Sequence, residues 1–424
     1  MSARNNPVEL RRVEAIKDDL VKFTQEIVRI PSVTGEEGEV AKAVLAKLKE
    51  IGVDDAWIDG IGNVVGVLRG SGKGPNVMLN THLDIVPAGR RENWEYDPFG
   101  AEIDQDGNIF GRGTVDIKGG TAAHIYTMKL LKEIRDKEGI SLPGDVIFSA
   151  VVFEEAAECF GMQYLCENTL PEKNLSFDLC YLAEPTHGHV YLGHRGKVEL
   201  VVTTRGETAH SSTPWAGVNA LQLMVPVLDR IFNVMPGGFS SHPELGKASI
   251  TITNLICRPG GLSIMPDEAE ISIDRRYVPG ETLESILDEF KALFKEMKVQ
   301  NPKFEATVKV RTFHEKSYTG YEKDVQKYHP VWVTDKDHPF AQKTIKALQA
   351  IGQPGETGYW RFGTDGSWSA GIMGIPTIGF QWGEESLAHT PIEHISIDQL
   401  MKTTEGYAAI VCELFDLGLD VLTK

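Results

Sequence analysis

Four apolar runs in this chain end on residues that a fully buried strand would not choose. VMLNTHLD delivers His82 and Asp84, VIFSAVVFEE delivers Glu154 and Glu155, LCYLAEP delivers Glu184, and IPTIGF is followed after a short loop by His389. Apolar runs this short read as strands buried on both faces, as in parallel sheets. They alternate with stretches of helical periodicity. Ile16, Leu20, Val21, Phe23, Ile27 and Val28 recur at helical spacing from Val13 to Ile30; Glu37 to Ile51 closes at Gly52; and Ile117 to Ile134 follows the loop GRGTVDIKGG. The alternation predicts an α/β fold, a mostly parallel-type mixed sheet with helices on both faces.

After Gly193 the pattern changes. KVELVVTTRG, KASITITNLI and EAEISIDRRYV alternate apolar and polar residues, with helical stretches at Asn219–Val234 and Glu281–Met297. That is the profile of an α+β unit with helices on one face of its sheet. The α/β style returns with the helix FAQKTIKALQAI, the Gly-rich GTDGSWSAGIMG, the strand IPTIGF and a last helix from Ile397. The expected organisation is therefore a discontinuous domain of residues 1–194 and 331–424, with residues 195–330 inserted. A length of 424 residues agrees with two cores.

Composition narrows the partners. A net charge of −17 opposes binding to nucleic acid and to anionic membranes, although an acidic surface also serves plain solubility. The five cysteines form no C-x-x-C pair, and the polar, charged N-terminal stretch has no apolar signal-peptide core. Both point to a cytoplasmic protein.

Every acid and histidine named above, together with Asp116 in GRGTVDIKGG, falls at the C-terminal end of a predicted strand or on a strand-to-helix loop. Open α/β sheets bind ligands at that rim. Two histidines and several carboxylates without cysteine suit Zn²⁺, Co²⁺ or Mn²⁺. Two such ions about 3.5–4 Å apart, bridged by one carboxylate, would use five ligands and leave room for water. His82 and Asp84 share a face of the extended chain; taken alone, the spacing is more often a surface contact at a loop mouth than a ligand oriented by a carboxylate, and other parts of the chain must decide.

The segments THLDIVP, GRGTVDIKGG, FEEAAE, LAEPT, GETAHSSTPWAGVNA, IMPDEAEISIDRRYVPGE, GTDGS and AHTPIEHISI follow one another in the order typical of a known family. In them the chain resembles the M20 peptidases and amidohydrolases. The resemblance implies a catalytic domain with an inserted lid and dimerisation domain, and a homodimer. It implies that His82 and Glu184 hold one metal ion, Glu155 and His389 the other, and that Asp116 bridges them, with zinc the expected metal. Asp84 would orient His82. Glu154 would be the general base that takes a proton from a metal-bridging water and returns it to the leaving amine. His210 would steady the oxyanion, reaching into the partner subunit's site. Arg276 would receive a substrate carboxylate, with Arg275 facing the other way, and Asn219, Gly363 and Thr364 would be substrate contacts. One departure is Phe153 before the acidic pair, where many members carry Asp. His124, His187, His189 and His194 are expected to be structural or surface residues.

The expected activity is hydrolysis of an amide bond in a small N-acylated amino acid or short peptide with a free carboxylate. The alternatives are an aminopeptidase or dipeptidase of the same fold and a catalytically silent binding protein.

Overall fold

The computed structural model describes residues 10–156 and 159–423. Helices α1 (Lys17–Val28) and α2 (Gly38–Ile51) precede strands β1 (Asp55–Ile58), β2 (Val64–Leu68) and β3 (Val77–His82). Helix α3 (Gly119–Glu138) leads to β4 (Val146–Val151), β5 (Leu179–Leu182) and β6 (Val190–His194). The chain then builds a second sheet from β7 (Gly196–Arg205), helix α4 (Ala220–Asn233), β8 (Ser249–Arg258), β9 (Glu268–Tyr277), helix α5 (Leu283–Gln300), β10 (Ala306–Val310) and β11 (Tyr328–His329). It returns with β12 (Trp332–Val333), α6 (Pro339–Ala350), β13 (Thr357–Trp360), β14 (Thr377–Gly379) and α7 (Ile397–Leu414).

In the first sheet the order is β1-β2-β4-β3-β5-β14-β6-β12, with β13 also pairing β6. The centre, β4-β3-β5-β14, is parallel throughout. Its flanks are antiparallel: β1 on β2, β2 on β4, and β6 on β14 and β12. The fold is thus the mixed α/β arrangement that the alternating runs predict. Strands β3, β4 and β5 are buried along their whole length. Because they run parallel to β14, the segments that follow all four emerge at one rim.

Helix α3 starts over that rim, and its first residues must be small. A Cβ on Gly120 would come within 2.6 Å of the Ala183 Cβ and 2.3 Å of the Gln381 Oε1. The glycine lets the helix start close to the strand ends, and Asp116 stands just before it.

The second sheet has the order β8-β9-β7-β10, with β11 also pairing β7, and every pairing is antiparallel. Burial alternates residue by residue along β9, as expected of a sheet with one covered face. Val198, Leu200, Ile271 and Ile273 from the strands and Met224 and Phe290 from α4 and α5 belong to a separate hydrophobic core. One part of the insert behaves differently. The hairpin of Thr312–Lys316 and Glu322–Gln326 packs on the first core, to which it gives Val325. Tyr318 at its turn donates to the Gly62 carbonyl at 2.8 Å, and Thr319 donates to the Gly60 carbonyl at 2.8 Å. Among the described residues, no helix is long and apolar enough to cross a membrane.

Candidate metal centre

Asp116 sits between two imidazoles. Its Oδ1 lies 3.1 Å from Nε2 of His82, and its Oδ2 lies 3.2 Å from Nε2 of His389. Each imidazole has a further carboxylate: Glu184 Oε1 is 3.7 Å from His82 Nε2, and Glu155 Oε2 is 3.1 Å from His389 Nε2. His82, Asp116 and Glu155 offer donor atoms within 4.8 Å of one another, and so do His82, Glu154 and Glu184. Five separated segments therefore meet at the rim. Glu154 is as close to the donors as the expected ligands are, so proximity alone does not separate a base from a ligand in this pair.

Asp84 works differently from the expectation. His82 Nδ1 donates to the backbone carbonyl of Asp84 at 2.9 Å, while the nearest carboxylate oxygen is 3.7 Å away. A carbonyl only accepts, so Nδ1 carries a proton and Nε2 is the atom aimed at Asp116. The Asp84 carboxylate instead accepts the backbone N–H groups of Glu154 and Glu155, each at 3.0 Å, and the Thr34 hydroxyl at 2.8 Å. The segment after β4 thereby hangs from Asp84. Phe153, the departure from the family pattern, has φ 58°, a left-handed conformation that bulky residues seldom adopt. Its buried ring packs edge-on against Phe160 with centroids 5.7 Å apart. It anchors the turn by packing.

A cleft of about 300 Å³ opens over these groups. Its opposite wall carries Lys197, Arg276 and His329. Register explains that row: Lys197 on β7 faces Arg276 on β9 and His329 on β11. Directly paired residues point to the same side of a sheet, so all three side chains reach the cleft. Arg276 is held by Asp274 at 2.8 and 3.1 Å, and Lys197 by Glu199 at 3.0 Å. Arg275 turns the other way and pairs with Glu281 in the buried interior.

The remaining expected contacts lie in several places. Gly363 lines the cleft, where a Cβ would come within 2.4 Å of the His329 ring. Thr364 is buried, and its N–H donates to His194 Nε2 at 3.0 Å. Asn219 caps α4, accepting the N–H groups of Leu221 and Gln222 at 2.9 and 3.3 Å; it is not on the cleft wall. His210 is exposed, lies outside the cleft, and has its Nδ1 2.7 Å from the Ser212 hydroxyl. His124 is buried in the core and His194 behind the cleft, while His187 pairs with Glu384 at 3.0 Å.

Residues 78–413 match the family described as Peptidase family M20/M25/M40. The chain belongs to the M20 peptidase family. It is 32% identical over 415 residues to the uncharacterized protein YgeY of Escherichia coli (strain K12), covering 96% of this chain and 98% of that one. It is 25% identical to a succinyl-diaminopimelate desuccinylase of Corynebacterium glutamicum, covering 90% and 93% of the two chains. Its fold resembles the crystal structure of a tripeptidase from Staphylococcus aureus, with a TM-score of 0.71, 20% identity and coverage of 94% and 99%. It also resembles the Bacillus subtilis YXEP protein, a dinuclear metal binding peptidase of the M20 family, with a TM-score of 0.67, 15% identity and coverage of 95% and 99%.

The electrostatics of this M20 member fit a cation at the rim. Burial pushes the Glu154 and Glu184 carboxyls well up, and Glu155 is raised as well; Asp116 raises Glu155 and Glu184 further by repulsion. Burial also disfavours the charge on Asp116, yet its bonds to His389 and His82 hold it below the usual range. Burial lowers His82, but Asp116, Glu154 and Glu184 outweigh it and raise the ring well above its usual value. Asp116 and Glu155 lift His389 to about 10. Acids crowded this closely are satisfied by positive charge, here protons and, in a loaded site, divalent ions.

Two supporting residues, Glu393 and Arg112, escaped the sequence reading. Glu393, fully buried, pairs with Arg112 and accepts the backbone N–H groups of Val115 and Asp116 at 3.2 and 3.3 Å. It lies in AHTPIEHISI, four residues after His389, and only the fold reveals that it braces the Asp116 loop. Asp365, in GTDGS, accepts from Asn80 at 2.8 Å, and burial raises it to about 6.

A protonated His389 makes metal uptake and proton release one event. A ligating imidazole must be neutral, so the proton held by Asp116 and Glu155 has to leave. Metal added to the metal-free protein near neutral pH should therefore release at least one proton per chain. Apparent affinity should fall as pH is lowered from about 8 to 6. Calorimetric titration in buffers of different ionisation enthalpy measures both, and pH-independent binding without proton release would contradict this assignment.

Proposed function

We propose that this chain is a di-metal amidohydrolase that cleaves the amide bond of a small N-acylated amino acid or short peptide with a free carboxylate. His82 and Glu184 would hold one ion, Glu155 and His389 the other, and Asp116 would bridge them. The observation that carries the reading is the Asp116 carboxylate, with one oxygen 3.1 Å from His82 and the other 3.2 Å from His389. The nitrogen and oxygen donor set suits Zn²⁺, with Co²⁺ or Mn²⁺ as substitutes. Bound ions would supply Lewis-acid polarisation of the scissile carbonyl and bring a water's pKa toward neutrality.

The chain's own residues do the rest. Glu154 takes the proton of the attacking water and returns it to the leaving nitrogen. A carboxyl raised by burial suits a group that must give its proton back. Arg276, held flat by Asp274, receives the substrate carboxylate on the far wall. His210 supplies the remaining oxyanion donor from a second copy of the chain.

A homodimer through residues 195–330 is supported by the edge of the second sheet. Among the described residues, strand β8 is unpaired on one side and exposes Leu255 and Ile256 at 42% and 38%. Such an edge favours pairing with a second copy about a two-fold axis. Trp215 and Leu262 are exposed near His210, which bridges to Ile264. In this arrangement the second sheet and its helices act as a lid over the cleft. The mostly buried free cysteines agree with a reducing, cytoplasmic setting. One observation favours the competing aminopeptidase or dipeptidase reading: Glu385 lines the cleft and could face a free α-amine. A hydrolysis panel of acylated and free-amine substrates decides between them.

Two experiments test the assignment of roles. Glu154→Gln should keep metal content and substrate affinity while kcat falls by about 10²–10⁴-fold. Glu155→Gln should lose metal and regain part of its activity in excess Zn²⁺ or Co²⁺. If Glu154→Gln loses metal, or stays nearly as active as the parent, base and ligand have been wrongly assigned. For the dimer, His210→Ala and Glu154→Ala chains should each be inactive and should regain activity when mixed. Demonstrated mixing without complementation would place His210 outside the partner's reaction.

A further inference from the structure

Beside the cleft lies a second pocket of about 460 Å³, lined by Arg195, Lys247, Arg361 and Glu244 together with Tyr359 and Trp360. Three cations face one acid there, in a chain whose net charge is −17. A concentration of positive charge against that background draws small anions to one place.

The pocket and the cleft are built from the same two chain segments. Arg195 stands two residues before Lys197, and Arg361 two residues before Gly363; Lys197 and Gly363 line the cleft. Arg195 also ties the pocket's far wall in place, its Nη1 donating to the Lys247 carbonyl at 3.1 Å. Burial and then repulsion from Arg276 in the cleft lower the pKa of the Arg195 guanidinium, with Asp274 opposing them and Arg361 in the pocket adding to them. It is thus close enough to feel a cation in each. On the cleft wall Arg276 and Lys197 have Asp274 and Glu199 as ion-pair partners, whereas Arg361 makes no ion pair among the described residues and feels the Glu385 carboxylate of the cleft only from beyond ion-pair distance. An anion in the second pocket would relieve this crowding of like charge.

We propose that the second pocket is an anion subsite, and that the substrate carries two acidic groups, one received by Lys197 and Arg276 and the distal one by Arg195, Lys247 and Arg361. The proposal rests on the acyl-amino-acid reading of the cleft. It narrows the substrate class to N-acylated acidic amino acids and short peptides ending in an acidic residue. A neutral isostere would fill the same volume and leave the three cations with Glu244 as the one acid in the pocket lining.

The test compares N-acetylglutamate with N-acetylglutamine on zinc-loaded dimeric protein and on the double variant Lys247→Gln/Arg361→Gln. Both positions are exposed, so the variant keeps its core. The parent should favour the diacid in kcat/KM by about ten-fold or more through KM, the worth of one charge-assisted hydrogen bond. In the variant the ratio should fall toward one. No preference in the parent, or an unchanged ratio in the variant, overturns the proposal. If neither compound is cleaved, the acyl-amino-acid reading fails, and calorimetric titration with glutarate and butyrate still tests the pocket. Tighter glutarate binding that the variant loses upholds the subsite, and equal binding of the two acids overturns it. Phosphate binding that the double variant abolishes, without any diacid preference, would mark a site for a separate anion and overturn it as well.

Discussion

The Asp116 carboxylate shared between His82 and His389 is the contact on which the rest of the rim depends. Both imidazoles arrive on separate segments, one at the end of β3 and the other in the loop beyond β14, and a single small acid reaches both. It can do so because Gly120, in the first turn of α3, packs against Ala183, and because Glu393 of the buried Glu393–Arg112 pair accepts the backbone N–H groups of Val115 and of Asp116 itself. A buried ion pair of this kind is costly to break, since removing one partner strands the other without compensation. The loop is therefore held by groups that never touch a substrate.

Charge is divided across the cleft. The floor gathers Asp116, Glu154, Glu155 and Glu184 around the imidazoles, and the facing wall carries the cations Lys197 and Arg276 beside His329, whose ring burial keeps neutral. The floor comes from parallel strand ends, where carboxylates crowd together, and the wall from an antiparallel register that sets three polar side chains in a row. The proposed anionic substrate would be oriented by such a cleft before any chemistry begins, with its carboxylate toward the wall and its amide toward the proposed metal pair.

The parts of the site carried by parallel strands were legible in the sequence, because each buried run announces its own end and all such ends share a rim. His82, Glu155 and Glu184 were placed at the rim in that way, and Asp116 by its position in a loop just before a helix. Contacts set by antiparallel register were not legible. Nothing in KVELVVTTRG says that Lys197 will stand between Arg276 and His329, since pairing is fixed by strands far away in the chain. The role of Asp84 illustrates a finer limit. Its spacing from His82 was correct, yet the backbone carbonyl took the ring and left the carboxylate to hold Glu154 and Glu155. Asn219 shows the same competition, its side-chain oxygen being used by the helix it caps. The Thr312–Gln326 hairpin shares the strand periodicity of the insert, and only Tyr318 seated over Gly62 reveals that it packs on the first core.

The central claim is that Asp116 bridges two ions. Anomalous diffraction from crystals grown with Zn²⁺, recorded on both sides of the zinc edge, tests it most directly. The account predicts two peaks about 3.5–4 Å apart astride the Asp116 carboxylate, one beside His82 and Glu184 and the other beside Glu155 and His389. A single peak, or zinc bound with no contact to Asp116, would contradict it.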